Sequence, residues 1–420
     1  MTRIIFLALA ALVTAAPASF AQEMTVEELV GVALQRSPDL QAARAGIAVA
    51  AGRVTQAGVR PNPMVAGSHE QGAMDMKTTT VGIEWPLALH RRSGRVAVAR
   101  GEADIVALSV RDRERLLASA VRAQAGRLLA ARRTLEIATE ALGAARRLRD
   151  LLDRRMTEGG ATKLDANLAA VETLRLEADV AIATGDVQAS TIELRALAGL
   201  PADAPLALRD SLEGLAAAPV LPRLTAAAAL EARSDIRAAI AQIGVADARI
   251  DAARREGRTD VTLAAGYTRA NFGFDLFGFD RHGARVPIQD IFHTVTLGAT
   301  LTMPWFDRNQ GTMAAAQAER AGAETLVSAR QRAARAEIDA SLARERETRR
   351  AVELYAGDVR TLARQNVEVM LEAYDLGRFP LSDVLAEQRR YLDVEAGYTD
   401  VLTRAYEART AVASAFGETP

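Results

Sequence analysis

The chain has 420 residues, no cysteine, 52 basic and 53 acidic side chains and a formal net charge of −1. That balance excludes the basic face a nucleic-acid binder needs, and the missing cysteines exclude disulfides, so packing alone must hold the fold. Aromatic residues make up only 4%, and alanine and arginine are abundant, a composition of long helices rather than of a bulky globular core.

The first residues read as a secretory signal. Arg3 supplies the positive end, and Ser19-Phe20-Ala21 puts small residues at both cleavage positions. Between them Ile4 to Val13 is an apolar run of about ten residues, too short to span a bilayer. Residues 1–21 are expected to be removed, leaving Gln22 first; a retained anchor is the alternative. No cysteine follows the run, which excludes a lipoprotein anchor on this chain. Beyond it there is no apolar stretch of about 18 residues, so a membrane crossing would have to be a closed β-barrel, which satisfies every strand's backbone groups in lipid.

A first helix is expected over Thr25 to Ala57, then strand-like runs at Pro63–Ser68 and Thr78–Leu87. Thr80-Val81-Gly82-Ile83-Glu84-Trp85 alternates polar and apolar, the period of a sheet with one apolar face. A helix without proline runs from Gly94 to Met156, roughly 95 Å at about 1.5 Å per residue. Val121, Leu128, Leu135 and Leu142 recur in it every seventh residue, with Ala131, Ala138 and Ala145 between them. That period means helices packed side by side, as a wall or as a two-stranded coiled coil. A turn at Gly159 and Gly160 leads into a last helix, and Gly199 to Pro222, with Pro201, Pro205, Pro219 and Pro222, reads as an extended connector.

The order then repeats. A helix over Thr225 to Arg255 is followed by strand-like runs at Val261–Arg269 and His293–Met303, a long helix from Gly311 to Leu376, a turn and a closing helix. Val352, Tyr355, Val359, Leu362, Val369 and Ala373 keep a three-four rhythm in this second long helix. Asn271 to Asp290, with Phe272, Phe274, Phe277 and Phe279, is expected to be an external loop.

Residue identities match at constant spacings. Asp39 to Arg53 aligns with Asp235 to Arg249, Arg91 with Arg308, Gly94 with Gly311 and Glu102 with Glu319; further on, Gly159 aligns with Gly377, Asp165 with Asp383 and Gly199 with Gly417. Two copies of one unit of about 190 residues explain this: 22–200, then the connector 201–224, then 225–420. Trp85 and Trp305 stand beside Pro86 and Pro304 at matching ends of the copies, where tryptophan favours the lipid–water boundary; a soluble strand end capped by tryptophan is the alternative. Four strands cannot close a barrel, so a barrel implies a homo-oligomer; three chains would supply twelve strands, an allowed even number.

Met24-Thr25-Val26-Glu27-Glu28-Leu29, Arg36-Ser37-Pro38-Asp39-Leu40 and Pro61-Asn62-Pro63, the duplicated strand–strand–long-helix order, and the turn Tyr374 to Leu385 together resemble the TolC-like outer-membrane efflux family over nearly all of the mature length. The segment Glu158 to Leu168 looks most like that family's CzcC-like metal-efflux branch. The resemblance implies a mainly helical fold with β strands: long coiled-coil helices forming a periplasmic α-barrel, and four strands per chain in a trimeric twelve-stranded outer-membrane β-barrel. It implies a homotrimer in outer-membrane lipid, extending into the periplasm, with a periplasmic adaptor and an inner-membrane pump as partners. At the periplasmic aperture it implies roles for Tyr374 and Asp383. Phe379 stands where the family places a lock-forming arginine and Ala386 where it places a second aspartate, with Arg378 and Glu387 one residue away; Asp165 is the first-copy counterpart of Asp383. Gly159, Gly160, Gly377, Phe379 and Pro380 form the helix tips where an adaptor would dock. For Asp383 the residues equally permit a helix N-cap.

No nucleophile elbow, phosphate-binding glycine loop or zinc-protease motif occurs. The four histidines, His69, His90, His282 and His293, are scattered without metal-ligand spacing, so neither a metal site, a cofactor nor an enzyme activity is expected. A soluble periplasmic coiled-coil adaptor or scaffold is the alternative; it would share the long helices but need no membrane strands.

Overall fold

The computed structural model describes residues 23–72, 76–218 and 224–417. The signal segment, Pro219 and Pro222 lie outside the described residues. The elements, in order, are β1 (Glu23–Met24), α1 (Val26–Arg36), α2 (Pro38–Ala57), β2 (Met64–Gln71), β3 (Lys77–Pro86), α3 (Arg91–Thr157), α4 (Lys163–Leu197), β4 (Ala207–Leu208), α5 (Leu212–Ala217), α6 (Ala226–Ala232), α7 (Ser234–Glu256), β5 (Asp260–Phe279), β6 (Arg285–Thr302) and α8 (Gln310–Leu354). A π-helical turn, Tyr355–Val359, then leads into α9 (Arg360–Asp375) and α10 (Leu381–Ala415).

The chain divides into two compact units, and each draws on both halves of the sequence. The helical unit comprises the chain up to Pro38, Glu114–Arg223 and Ile338–Pro420. Its core gathers Val26, Leu29 and Val30 of α1, Val121 and Leu128 of α3, Leu194 of α4, Leu212 of α5, and Leu402 and Tyr406 of α10. Val121 and Leu128 of the α3 heptad thus sit against four other helices, while Leu142 packs with Ala141, Ala145 and Leu176 in a second cluster and Leu135 is half-buried. α1 starts cleanly because the Thr25 hydroxyl accepts from the Glu28 amide while the Glu28 carboxylate accepts from the Thr25 amide.

The second unit, Asp39–Arg113 with Leu224–Glu337, contains the four-stranded antiparallel sheet in the order β2-β3-β5-β6. Two features of the chain differ from expectation. Each opening helix is two helices. Ser37, which precedes Pro38, is forced out of the helical region (φ −55°, ψ 121°). Arg233 takes the same bend without a proline, its buried guanidinium held by Asp235 at 2.9 Å and Glu337 at 2.8 Å. The phenylalanine-rich segment is mostly strand: β5 and β6 continue past the reach of β3, across an irregularity between Gly273 and Phe277, to a turn in which the Asp280 carboxylate accepts from the His282 and Ala284 amides. The alternating Phe and Gly of 272–279 fit an extended strand, which composition alone reads as loop.

Candidate functional site: the sheet and the helix tips

The pairing register sorts the sheet into two faces. Val65 lies opposite Ile83, Val81 opposite Tyr267, Trp85 opposite Leu263, Tyr267 opposite Val295, Ala265 opposite Leu297 and Val261 opposite Leu301. These share one face, since side chains alternate along each strand. The other face carries Ser68, Thr80, Gly82, Glu84, Thr262, Ala264, Gly266, Thr268, Thr296, Gly298 and Thr300, with the Thr80 and Thr268 hydroxyls 3.1 Å apart. On the apolar face Val65, Val295 and Leu297 are almost bare. A large exposed apolar patch opposite a polar one marks a surface that something apolar covers, and this alternation is that of a strand between lipid and an aqueous lumen. Among the described residues no strand pairs with the outer edges of β2 and β6, and no helix is long and apolar enough to cross a membrane. Trp85 and Trp305 both stand exposed at the end of the sheet marked by Asp260, Trp85 within β3 and Trp305 just past β6.

In the helical unit two chain reversals are built alike. At the end of α3 the Gly160 amide donates to the Arg155 carbonyl (2.7 Å) and the Gly159 amide to Met156 (3.2 Å); at the end of α9 the Arg378 amide donates to Ala373 (2.9 Å) and the Gly377 amide to Tyr374 (2.8 Å). Both are Schellman closures, with Gly159 at φ +79° and Gly377 at φ +72°, where a side chain would be strained. Pro380 opens α10 as its extended N-cap residue without a side-chain cap bond.

Asp383 is therefore not the N-cap; it lies three residues in, as does Asp165, whose carboxylate accepts from the Thr162 amide at 3.2 Å and the Thr162 hydroxyl at 2.6 Å. Asp383 is exposed and accepts from the Ser382 hydroxyl at 3.3 Å. Tyr374 packs against Leu152, Ala169, Leu381, Val384 and Leu385. Burial pushes its phenol up, and the Asp165 carboxylate adds to this; Arg155, 3.6 Å from Asp375, acts the other way. The fold thus brings Tyr374, Asp165 and Arg155 of the two tips together. Glu387 pairs along its own helix with Arg390 at 2.8 Å. Arg378 and Phe379 are exposed.

Sequence reasoning missed one group. Glu172, on α4 one heptad beyond Asp165, is only 3% exposed and receives Arg389 of α10 at 2.6 Å and Arg175 at 2.7 Å. Burial pushes its carboxyl up, and the two guanidinium bonds overcome this and leave it below the ordinary range. Its buried position in the helix pattern was the available signal. Because the folded value is depressed, this contribution is present at pH values above the ordinary carboxylate range and is lost as pH falls through the lowered value. Glu172→Gln should cost about 1–3 kcal/mol at neutral pH and flatten the acid limb of thermal stability in scanning calorimetry; an unchanged acid limb would contradict the assignment.

Among the described residues no cluster of potential metal ligands exists.

Residues 29–200 match the family model described as outer membrane efflux protein. Over 402 residues the chain is 24% identical to the cobalt-zinc-cadmium resistance protein CzcC of Cupriavidus metallidurans, covering 94% of this chain and 90% of that one. Its fold matches the outer membrane protein VceC of Vibrio cholerae, with a TM-score of 0.73 at 20% identity, over 93% of this chain and 96% of that one. It also matches the open state of the MtrE outer membrane channel of Neisseria gonorrhoeae, with a TM-score of 0.74 at 16% identity, over 94% and 89%. Residues 29–200 thus carry the sequence pattern of the outer membrane efflux protein family, and the chain has the TolC-like fold through nearly all its length.

Proposed function

We propose that the protein is the outer-membrane exit duct of a tripartite efflux system, three copies closing one channel that receives cargo from a periplasmic adaptor and an inner-membrane pump. The observation that carries this reading is the sheet: apolar on one face, small and polar on the other, and without a partner strand at either edge among the described residues. Three such sheets joined edge to edge give an even-numbered barrel with lipid outside and water inside. A soluble scaffold would leave that apolar face in water, which counts against it. Heavy-metal cations are the proposed cargo, on the likeness to a cobalt-zinc-cadmium resistance protein. A duct passes an ion without binding it tightly, so no ligand cluster is required.

The two tips are proposed as the periplasmic end of the duct. Around Tyr374, residues Asp165, Arg378, Asp383 and Glu387 form the charged aperture, and Gly159, Gly160, Gly377, Phe379 and Pro380 form the surface an adaptor grips. Three copies of the exposed Asp383 around one axis would draw cations and resist closure by mutual repulsion. Asp383→Asn should therefore reduce block by divalent cations several-fold in planar bilayers and shift the reversal potential toward lower cation preference; identical block in variant and parent would remove Asp383 from the aperture. The signal segment is proposed to be cleaved, placing the mature chain in the outer membrane.

A further inference from the structure

The duplicated halves place equivalent residues in unequal surroundings. The spacing that takes Asp39 to Asp235 and Arg53 to Arg249 also takes Val49 of α2 to Val245 of α7. Val245 is 4% exposed and packs on Gly101 of α3, where an added Cβ would lie 3.8 Å from the Val245 Cβ. Val49, the same residue at the same repeat position, is 55% exposed. The spacing that takes Glu102 to Glu319 takes Gly101 to Ala318 of α8, which is exposed.

The charges follow the same rule. Arg249 sits between two long helices, 2.8 Å from Glu102 of α3 and 2.8 Å from Glu319 of α8. Its counterpart Arg53 is exposed and, among the described residues, has no ion pair. Glu102 and Glu319 each remain about half-exposed, leaving carboxylate oxygens for a second guanidinium. Gly94 shows the pattern once more. A Cβ there would come 2.8 Å from the Ala252 Cα, while its counterpart Gly311 has nothing within 4 Å. In the sheet, β3 of the first half pairs with β5 of the second, and the matching edges β6 and β2 have no partner among the described residues.

We propose that the bare α2 face of one copy packs on the bare α8 face of the next, repeating between chains the contact α7 makes with α3 within one. Val49 then seats on Ala318 of the neighbouring copy. Arg53 joins its own Glu102 to the neighbour's Glu319, as Arg249 joins Glu102 to Glu319 within a chain. The contact is heterologous, each copy offering one donor face and one acceptor face, and a three-fold rotation between the copies of the trimer closes it into a ring. Around the closed ring arginine and glutamate alternate in an unbroken belt. This inference rests on the trimeric reading above and assigns the residues that join the copies.

The cysteine-free chain allows a direct test in the full-length protein in outer membranes. Val49→Cys combined with Ala318→Cys should form a disulfide under mild oxidation, since the equivalent Cβ separation of 3.8 Å is that of a disulfide. The product should be covalent dimers and trimers on non-reducing gels, and either single variant should give none. Gly101→Cys combined with Val245→Cys is the internal control and should link only within one chain. Arg53→Gln should speed subunit exchange several-fold, an effect that high salt should abolish. If the unaltered chain is trimeric in detergent yet the Val49/Ala318 pair gives no covalent ladder, the assigned faces are wrong and the channel reading stands. If exchange is unchanged in Arg53→Gln, the charged belt is wrong. A monomeric unaltered chain would instead remove the channel reading itself.

Discussion

Leu297→Arg should abolish recovery of the protein from the outer membrane, whereas Thr296→Arg, one residue away, should not. Leu297 lies level with Ala265 and Ile83, near the middle of the stretch of sheet that β3 spans, on the face shared with Ile83, Ala265 and Tyr267. An arginine at the bilayer midplane costs about 2–4 kcal/mol in a barrel, and a trimer would carry it three times, so the closed barrel would lose roughly three times that amount. That is comparable to the whole net stability of an ordinary domain. Thr296 points to the opposite face, across from Gly266, and there an arginine would meet lumen water. The measurement is the yield of detergent-extracted oligomer from outer-membrane fractions for the two variants. Equal yields would mean that the apolar face does not meet lipid.

The second large effect concerns the tips. Leu376 and Phe379 at one tip and Leu164 at the other are exposed hydrophobic side chains within a few residues of each glycine closure. They contribute nothing to closing the turns, which the backbone bonds of Gly160 and Arg378 accomplish. Apolar side chains held bare on rigid reversals fit a surface that a partner covers. Replacing Phe379 and Leu164 together by Glu should lower cross-linking to the adaptor more than tenfold and reduce efflux to the level of a strain lacking the gene. Trimer yield and thermal stability should stay within about 0.5 kcal/mol of the parent, as for surface changes. Efflux at the parental level would exclude these tips as the docking surface.

Much of the architecture could be read from the residues because it depends on periodicity. The seven-residue spacing of Val121, Leu128, Leu135 and Leu142 marks one face of α3, on which Val121, Leu128 and Leu142 are buried and Leu135 is half-buried. Period-two alternation in Thr80–Trp85 and in Thr294–Met303 set the two faces of the sheet before any register was known. What the sequence hid depends on tertiary context. Arg233 bends its helix as Ser37 does, yet no proline announces it, because the bend there is stabilised by ion pairs to Asp235 and to Glu337. The π-helical turn at Tyr355–Val359 interrupts a segment with no Pro, and the Tyr355 ring stacks on Tyr398 of α10, a contact no local pattern encodes. The Glu172–Arg389 bond joins residues far apart in the chain. The aspartates of the tips were visible as a repeated pair, but their place three residues inside each helix follows from Thr162 and Pro380 taking the cap positions.

Three chains closing one barrel is the claim on which the duct, its aperture and its charged belt all depend. Light scattering of the detergent-extracted protein, with the detergent contribution subtracted, measures it most directly. The account predicts a protein mass close to three times that of the mature chain, and a particle that aggregates once detergent is withdrawn. A single-chain mass that stays dispersed in detergent-free buffer would contradict it.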